Sequence, residues 1–267
     1  ALFKQSADLG NAKSQLQIAL DYHNGHNGVS KDINLANKYY KLAADQGNAK
    51  ALCNLAFNMQ HGDGFKKDYK TANELFIKSA ERGYPPAQYN YAYNLSNGVG
   101  VNTDHTEANK YYKLAADNGH VQAMVTYATN LSKGIGTPKN YEEANKYYKM
   151  AIKNDSKNSS AMYQLATNLN HGNGIEKDVI EANRLFKNSA DLGNTRAMCS
   201  LAYNLQKGIG GPQNIEMANK YYKMAADQRY PVAMYNYASN LESGNEVDKN
   251  IEEANKYYKM AADLGNS

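Results

Sequence analysis

The hexapeptide ANKYYK returns along this 267-residue chain at nearly constant spacing, and this repetition constrains the fold more than any other feature. The tag begins at residues 36, 108, 144, 218 and 254, and diverged copies, ANELFIK and ANRLFKN, begin at 72 and 182. Successive copies are therefore 36, 36, 36, 38, 36 and 36 residues apart. A period of this length is typical of a solenoid, in which each unit covers the apolar face of its neighbour.

A second module precedes each tag and is clearest in the stretch AQYNYAYNLSNGVG. Here Ala87, Tyr91, Ala92 and Leu95 recur at helical spacing. We name this predicted helix A, and the tag, which ends in NG or QG, helix B with a glycine stop. Because no segment alternates between apolar and polar residues long enough to form a strand, the predicted fold class is all-α.

We expect a single continuous repeat array over residues 1–267, with a partial first unit at 1–13. The repeats begin near residues 14, 51, 87, 123, 161, 197 and 233. The start of the chain, LFKQSADLGN, matches LFKNSADLGN at 185–194, so the chain opens inside a helix B and closes where another helix A would begin. It is therefore expected to be a fragment of a longer array, or to have ends covered by other segments or molecules, and end-to-end contacts are a further possibility.

Charge and hydropathy restrict the classes of partner. The net charge is +4, and Lys alternates with Asp and Glu instead of forming blocks, so we predict no nucleic-acid partner. The repeated lysines of the tag, such as Lys110 and Lys113, are interpreted as a solvated convex face of helix B. The sequence has no apolar run long enough to span a membrane and no signal peptide at its start, and we expect a cytoplasmic location.

The paired glycines after helix A could suggest a phosphate-binding loop. They follow a helix instead of a strand and lack the third glycine and the lysine of nucleotide-binding motifs. We interpret Gly98 as the left-handed end of helix A and Gly100 as the residue that permits a tight return, with Asp104 near the start of helix B. The equivalent aspartates are Asp68 and Asp178.

Motifs for catalysis or metal binding are missing from the sequence. Cys53 and Cys199 occupy the same helix position four repeats apart, and we expect both to be buried apolar residues that cannot form a disulfide with each other. Six histidines are scattered, and no nucleophile pattern recurs with a His or carboxylate partner. The sequence therefore predicts no cofactor, no metal and no enzymatic activity.

The unit resembles the Sel-one-like repeat family, relatives of the tetratricopeptide repeats. The resemblance rests on residues in register in one unit: Ala87, Tyr91, Leu95, Gly98, Gly100, Val101, Asp104, Ala108, Tyr111, Tyr112, Ala115, Ala116 and Gly119. It implies antiparallel helix pairs stacked into a right-handed α-solenoid, with A helices on the concave face, and a function as adaptor or scaffold. A cysteine-rich bacterial branch has been linked to β-lactamase activity, but its paired cysteines are missing here.

Asparagine recurs where a helix tolerates it poorly. One asparagine precedes the last Leu or Met of nearly every helix A, although Asn costs roughly half a kcal/mol relative to Ala in a helix. These residues are Asn58, Asn94, Asn130, Asn168, Asn204 and Asn240. Since residues 87, 91, 92 and 95 face the core, we expect the stripe of residues 90, 94 and 97 to face the concave groove.

A row of carboxamides can donate to and accept from the backbone of an extended peptide. The leading hypothesis is therefore a non-enzymatic scaffold whose groove binds a protein or peptide segment through these asparagines and Asn90, with Tyr93, Tyr203 and Phe57 as aromatic anchors. Two alternatives stay open for the column itself, namely hydrogen bonding between repeats and compositional drift. The alternative function is a structural spacer that sets geometry between other domains or subunits without a groove ligand.

Overall fold

The protein is an array of short helices joined by tight turns, as seen in a computed structural model that describes residues 2–265. Over this range the fifteen helices are α1 (Leu2–Asp8), α2 (Ala12–Asn24), α3 (Ile33–Asp45), α4 (Ala49–His61), α5 (Tyr69–Ala80), α6 (Pro85–Asn97), α7 (His105–Asp117), α8 (Val121–Lys133), α9 (Tyr141–Asn154), α10 (Ser159–His171), α11 (Val179–Asp191), α12 (Thr195–Lys207), α13 (Ile215–Asp227), α14 (Pro231–Ser243) and α15 (Ile251–Asp263). The even-numbered helices are the A helices, and the odd-numbered ones from α3 onward are the B helices. The predicted all-α fold with its helix-pair period is confirmed.

Each A helix begins two residues before the repeat start that was predicted from the sequence. In α4 the side chain of Asn48 accepts a hydrogen bond from the backbone N–H of Ala51 and so caps a helix that starts at Ala49. Proline takes the first position of α6 and α14, where its missing N–H costs nothing. The first residue of each A helix is therefore determined by its N-terminal cap and not by the apolar pattern.

Three B helices begin at the predicted aspartate caps, while α9, α13 and α15 begin at an asparagine. The side chains of Asp68, Asp104 and Asp178 accept from backbone N–H groups of the first turns of α5, α7 and α11. The predicted placement of these aspartates is confirmed. Tyr residues of the tag fill the interior behind the caps, and the largest fully buried side chains of the described residues include Tyr40, Tyr148 and Tyr222.

The two glycines of each A-to-B turn have different tasks. Gly98 ends α6 in the left-handed region with φ of 68°, as predicted. Gly100 has φ of 69°, and a Cβ built on it would lie 2.4 Å from Cβ of Tyr69 in the B helix of the preceding repeat. The same close approach recurs at Gly136 and Gly174. The second glycine thus permits contact between repeats as well as the turn.

The described chain divides into two compact units, one up to Lys139 and one from Asn140 onward. Unit 1 contains α1 to α8, and unit 2 contains α9 to α15. Within each unit, alanines at the middle of the A helices, such as Ala92 and Ala202, have no exposed surface and lie against their B helices. The sites described below are each contained in one unit.

Candidate functional site

The asparagine column of the A helices lies in the interior. The expected exposure of these six side chains on a groove is wrong. Five of them are buried, at 5% exposure or less, and Asn130 is half-buried. The buried five are Asn58, Asn94, Asn168, Asn204 and Asn240. The physical reason is that in a stacked array this face of helix A meets the B helix of the preceding repeat instead of solvent.

Each of these asparagines pairs with an asparagine at the start of a B helix. Asn94 Nδ2 donates to Asn73 Oδ1 at 2.8 Å, and Asn73 Nδ2 donates to the backbone O of Val99 at 2.8 Å. Asn73 belongs to α5, while Asn94 and Val99 belong to α6 and the turn that follows it. We call this unit an asparagine clamp, because it fixes a B helix to the A helix and turn of the next repeat.

The clamp is present at six repeat junctions of the described chain. Each joins a B-helix Asn to an A-helix Asn at 2.6 to 2.8 Å. The pairs are Asn37 with Asn58, Asn73 with Asn94, Asn109 with Asn130, Asn145 with Asn168, Asn183 with Asn204 and Asn219 with Asn240. The inter-repeat hydrogen bonds left open by the sequence are thus observed. Asn255 of α15, which has no A helix packed on it in the described range, is exposed.

Some clamps extend to a third amide. Asn94 Nδ2 also donates to Gln60 Oε1 at 2.7 Å, and Asn204 Nδ2 donates to Asn170 Oδ1 at 3.0 Å. These partners lie on the A helix of the preceding repeat, so the network connects successive A helices as well. Buried amides in such networks are costly to leave unpaired, which favours one register of packing.

The exposed stripe of helix A keeps only part of the predicted one. Tyr93 is 47% exposed and Asn97 is exposed, while Asn90 is half-buried with its Nδ2 3.9 Å from Sγ of Cys53. Phe57, one repeat earlier, is 44% exposed, and its ring stacks on that of His61 at a centroid distance of 4.0 Å. The predicted aromatic residues are therefore exposed, and we call this stripe the A-helix surface.

In unit 2 the A-helix surface contains a cleft of about 330 Å³ between α10, α12 and α14, which we call the A-helix cleft. Tyr203, predicted from the sequence, lies in it and is 50% exposed. Ser200, which shares the predicted stripe of α12, also lines the cleft, whereas the sequence analysis missed the wall residues Tyr163, Arg196, Val232 and Asn236. The sequence contained a signal for Arg196 and Ser200, because residues 196, 200 and 203 are spaced so that they lie on one face of a helix.

Two residues at the floor of the cleft have side chains that are not available for chemistry. Asn204 belongs to a clamp, and Cys199 is a buried free thiol. Burial raises the pKa of Cys199 to about 11, and burial also raises the pKa of Cys53 to about 12. Both thiols are therefore protonated near neutral pH and are poor nucleophiles. The predicted burial of both cysteines is confirmed.

The surface of the B helices includes a recurring row of lysines. Lysines of the tag are exposed or half-buried, and several pair with an aspartate four residues later, as Lys41 does with Asp45 and Lys223 with Asp227. Such surface pairs contribute little to stability. Between residues 2 and 265, no helix has both the length and the apolar character needed to cross a membrane.

Paired helices, turn glycines and clamps at six junctions define a solenoid of two-helix repeats. The sequence model of the Sel1 repeat matches seven consecutive segments of the chain. They are residues 12–48, 49–84, 85–120, 121–156, 159–194, 195–230 and 231–266. The chain therefore belongs to the Sel1 repeat family, as the resemblance implied. Proteins of this family are generally protein-interaction scaffolds and are typically non-enzymatic.

Solved structures agree with this assignment. The chain is 29% identical to c5321, a protective antigen present in uropathogenic Escherichia coli strains that displays an SLR fold, with a TM-score of 0.91. That match covers 98% of this chain and 56% of c5321, so the chain spans little more than half of that structure. A Sel1 repeat protein from Oxalobacter formigenes is 26% identical, with a TM-score of 0.79 and coverage of 92% and 96%. None of the curated proteins matches the sequence significantly.

Proposed function

We propose that this protein is an interaction scaffold whose A-helix surface binds an extended segment of another protein, with the A-helix cleft of unit 2 as the main contact. The observation that carries the proposal is the cleft itself, which three successive A helices line with exposed aromatic and polar side chains. It lies on the A helices, which the family resemblance places on the concave face. The general scaffold role of the family supports the same conclusion.

The chemistry of the cleft suits a peptide. Tyr203 is half exposed and Val232 is 43% exposed, so both have apolar surface that a ligand would bury. Tyrosine is frequent among residues that dominate binding energy at interfaces. Ser200 and Asn236 are half-buried beside them and offer donor and acceptor atoms to a peptide backbone. Arg196 adds one positive charge at the wall.

The role of the predicted ligand residues is divided accordingly. Asn90 and Tyr93 of unit 1 and Tyr203 of unit 2 stay in the proposed binding surface. The six A-helix asparagines hold the helices that form this surface, because their amides already bond within the clamps. Direct contact between those asparagines and a peptide stays a prediction, and their burial argues against it.

The second candidate function is a structural spacer, and the clamps favour it. A spacer needs repeats that keep their relative geometry, and the clamps at six junctions provide hydrogen bonds that favour this. It predicts that replacing Asn94, Asn130 and Asn168 together by Ala lowers stability and leaves binding intact. End-to-end contacts through the terminal repeats stay a prediction as well.

Peptide selection tests the cleft directly. Peptides selected on the protein from a random displayed library are expected to bind the Tyr203→Ala variant at least about tenfold more weakly, a loss of about 1.4 kcal/mol. The matched control is Met224→Ala, which removes a 45% exposed side chain from the B helix α13 of the same unit. Affinities are measured by fluorescence anisotropy, with thermal melting as a check that each variant stays folded.

Two outcomes would oppose the scaffold proposal. If selected peptides bind both variants as well as the unchanged protein, the cleft is not the binding surface. If no peptide is enriched at all, the spacer function gains support.

A further inference from the structure

A second surface, separate from the A-helix cleft, departs from the repeat pattern at one junction of unit 2. It is a pocket of about 450 Å³ between α11, α12 and α13, bordered by the turn that follows α12. Three sequence departures meet there, at Ile180, Gly211 and Met217. The residues at the equivalent positions of the other repeats show how these three positions differ from the rest of the array.

The first departure removes a side chain from the wall of the pocket. The residue after the second-glycine position of the turn is apolar or Thr in five other repeats, and it is half-buried in each. These residues are Phe65, Val101, Thr137, Ile175 and Val247. Ile175 borders α9 beside Asn145 and Lys146, whose counterparts in α11 are Asn183 and Arg184 of the pocket. Gly211 leaves the equivalent volume without a side chain.

The second and third departures make the rim apolar. Ile180 is 73% exposed at a position that is Asn, Lys, Thr or Glu in every other repeat. Met217 is 39% exposed at a position that is Thr or Glu in all others except the first, where it is Leu35. Two exposed apolar side chains therefore flank a vacant apolar volume, which is unfavourable in water unless something covers them.

The charges of the pocket indicate what covers it. Among the residues that line the pocket, only Arg184 and Lys187 carry a charge at neutral pH. Each pairs with an acid on its own helix, Arg184 with Glu181 and Lys187 with Asp191, but at 60% exposure or more both cations can be shared with a ligand. The lining is thus apolar at the centre and positive on one side.

We infer that this pocket binds a segment of another protein that inserts one aliphatic or aromatic side chain, flanked by acidic residues, into the place left by Gly211. The inserted side chain takes the position that Val or Ile of the turn occupies elsewhere in the array. Carboxylates beside it lie against Arg184 and Lys187. The A-helix cleft shares only Asn204 with the residues that line this pocket, so the inference does not depend on a ligand in the cleft.

The test uses blocked pentapeptides with two Asp residues on either side of Ile, Leu, Val or Phe, and methyl NMR spectra of the protein. At least one peptide is expected to shift the methyl signals of Ile180, Ile209 and Met217. The peptide with Ser at its centre is expected to bind at least about tenfold more weakly, which corresponds to about 1.4 kcal/mol. A peptide with Lys in place of Asp is expected to bind more weakly than its acidic counterpart.

The matched variant is Gly211→Val, which restores the side chain that other turns have. A Cβ placed on Gly211 would have no other atom within 4 Å, and the backbone φ of Gly211 is not positive. Val therefore fits at this position without strain. This variant is expected to keep the melting temperature and lose the peptide shifts. The inference is overturned if none of the four peptides shifts these methyl signals, or if shifts persist in Gly211→Val. It is also overturned if the signals change with protein concentration alone, since the occupant is then a second copy of this chain.

Discussion

Gly100→Ala is expected to lower the free energy of unfolding by about 3 kcal/mol or more, the largest single effect that the structure predicts. The new Cβ would lie 2.4 Å from Tyr69 Cβ and 2.9 Å from the Tyr69 carbonyl carbon, so the repeats must separate. Overpacking of this kind costs typically about 1 to 3 kcal/mol, and a left-handed φ of 69° adds about 1 to 2 kcal/mol for a residue with a side chain. Urea denaturation followed by circular dichroism measures the loss.

The matched control is Gly83→Ala in the same unit. Gly83 has φ of 76° but no atom within 4 Å of a Cβ placed on it, so only the backbone cost of about 1 to 2 kcal/mol applies. The array also contains a natural counterpart, because Glu246 occupies the second-glycine position of the last repeat with φ of 53°. Glu246→Gly is accordingly expected to stabilise the protein. Equal losses for Gly100→Ala and Gly83→Ala would show that the contact with α5 does not matter.

Asn73→Ala is expected to lower the free energy of unfolding by about 2 to 4 kcal/mol. The change removes one of the two acceptors of Asn94 Nδ2 and the donor to the Val99 carbonyl, and each buried N–H or C=O left unpaired costs about 1 to 3 kcal/mol. The measurement is again urea denaturation of the variant beside the unchanged protein.

The chain offers a close control for this change. Asn255 stands in the same ANKYYK tag as its clamp counterparts but is exposed, so Asn255→Ala is expected to change stability by less than about 0.5 kcal/mol. If the two variants lose the same small amount, the clamps do not hold the repeats together. The comparison separates a role of the clamp from the helix propensity of the residue, because Ala replaces Asn in both.

The repeat period and the turn glycines were sufficient to predict the fold. A recurring unit of this length with Gly98 and Gly100 at one place and Asp104 at the next leaves few arrangements other than stacked helix pairs. The starts of the A helices were harder to predict, because polar capping residues such as Asn48 are not part of the apolar periodicity.

The site was only partly predictable. The exposure of Tyr93 and Tyr203 followed from helical geometry, whereas Asn94 was placed on the wrong side by treating helix A as having one buried face. In an array, the preceding repeat buries a second face. A sequence signal for this existed, since most clamp pairs are 21 residues apart, as Asn73 and Asn94 are. The pocket at Gly211 needed the structure, because the vacancy depends on what surrounds one missing side chain.

The central claim is that the A-helix asparagines join the repeats while the surface beside them remains free for ligands. Hydrogen exchange of the side-chain amides tests it most directly, with Asn94 and Asn204 compared with the exposed Asn255 in a 15N-labelled protein. We expect the amide protons of Asn94 and Asn204 to exchange far more slowly than those of Asn255. Exchange of all three at the same rapid rate would contradict the claim and return these asparagines to the solvent-exposed groove.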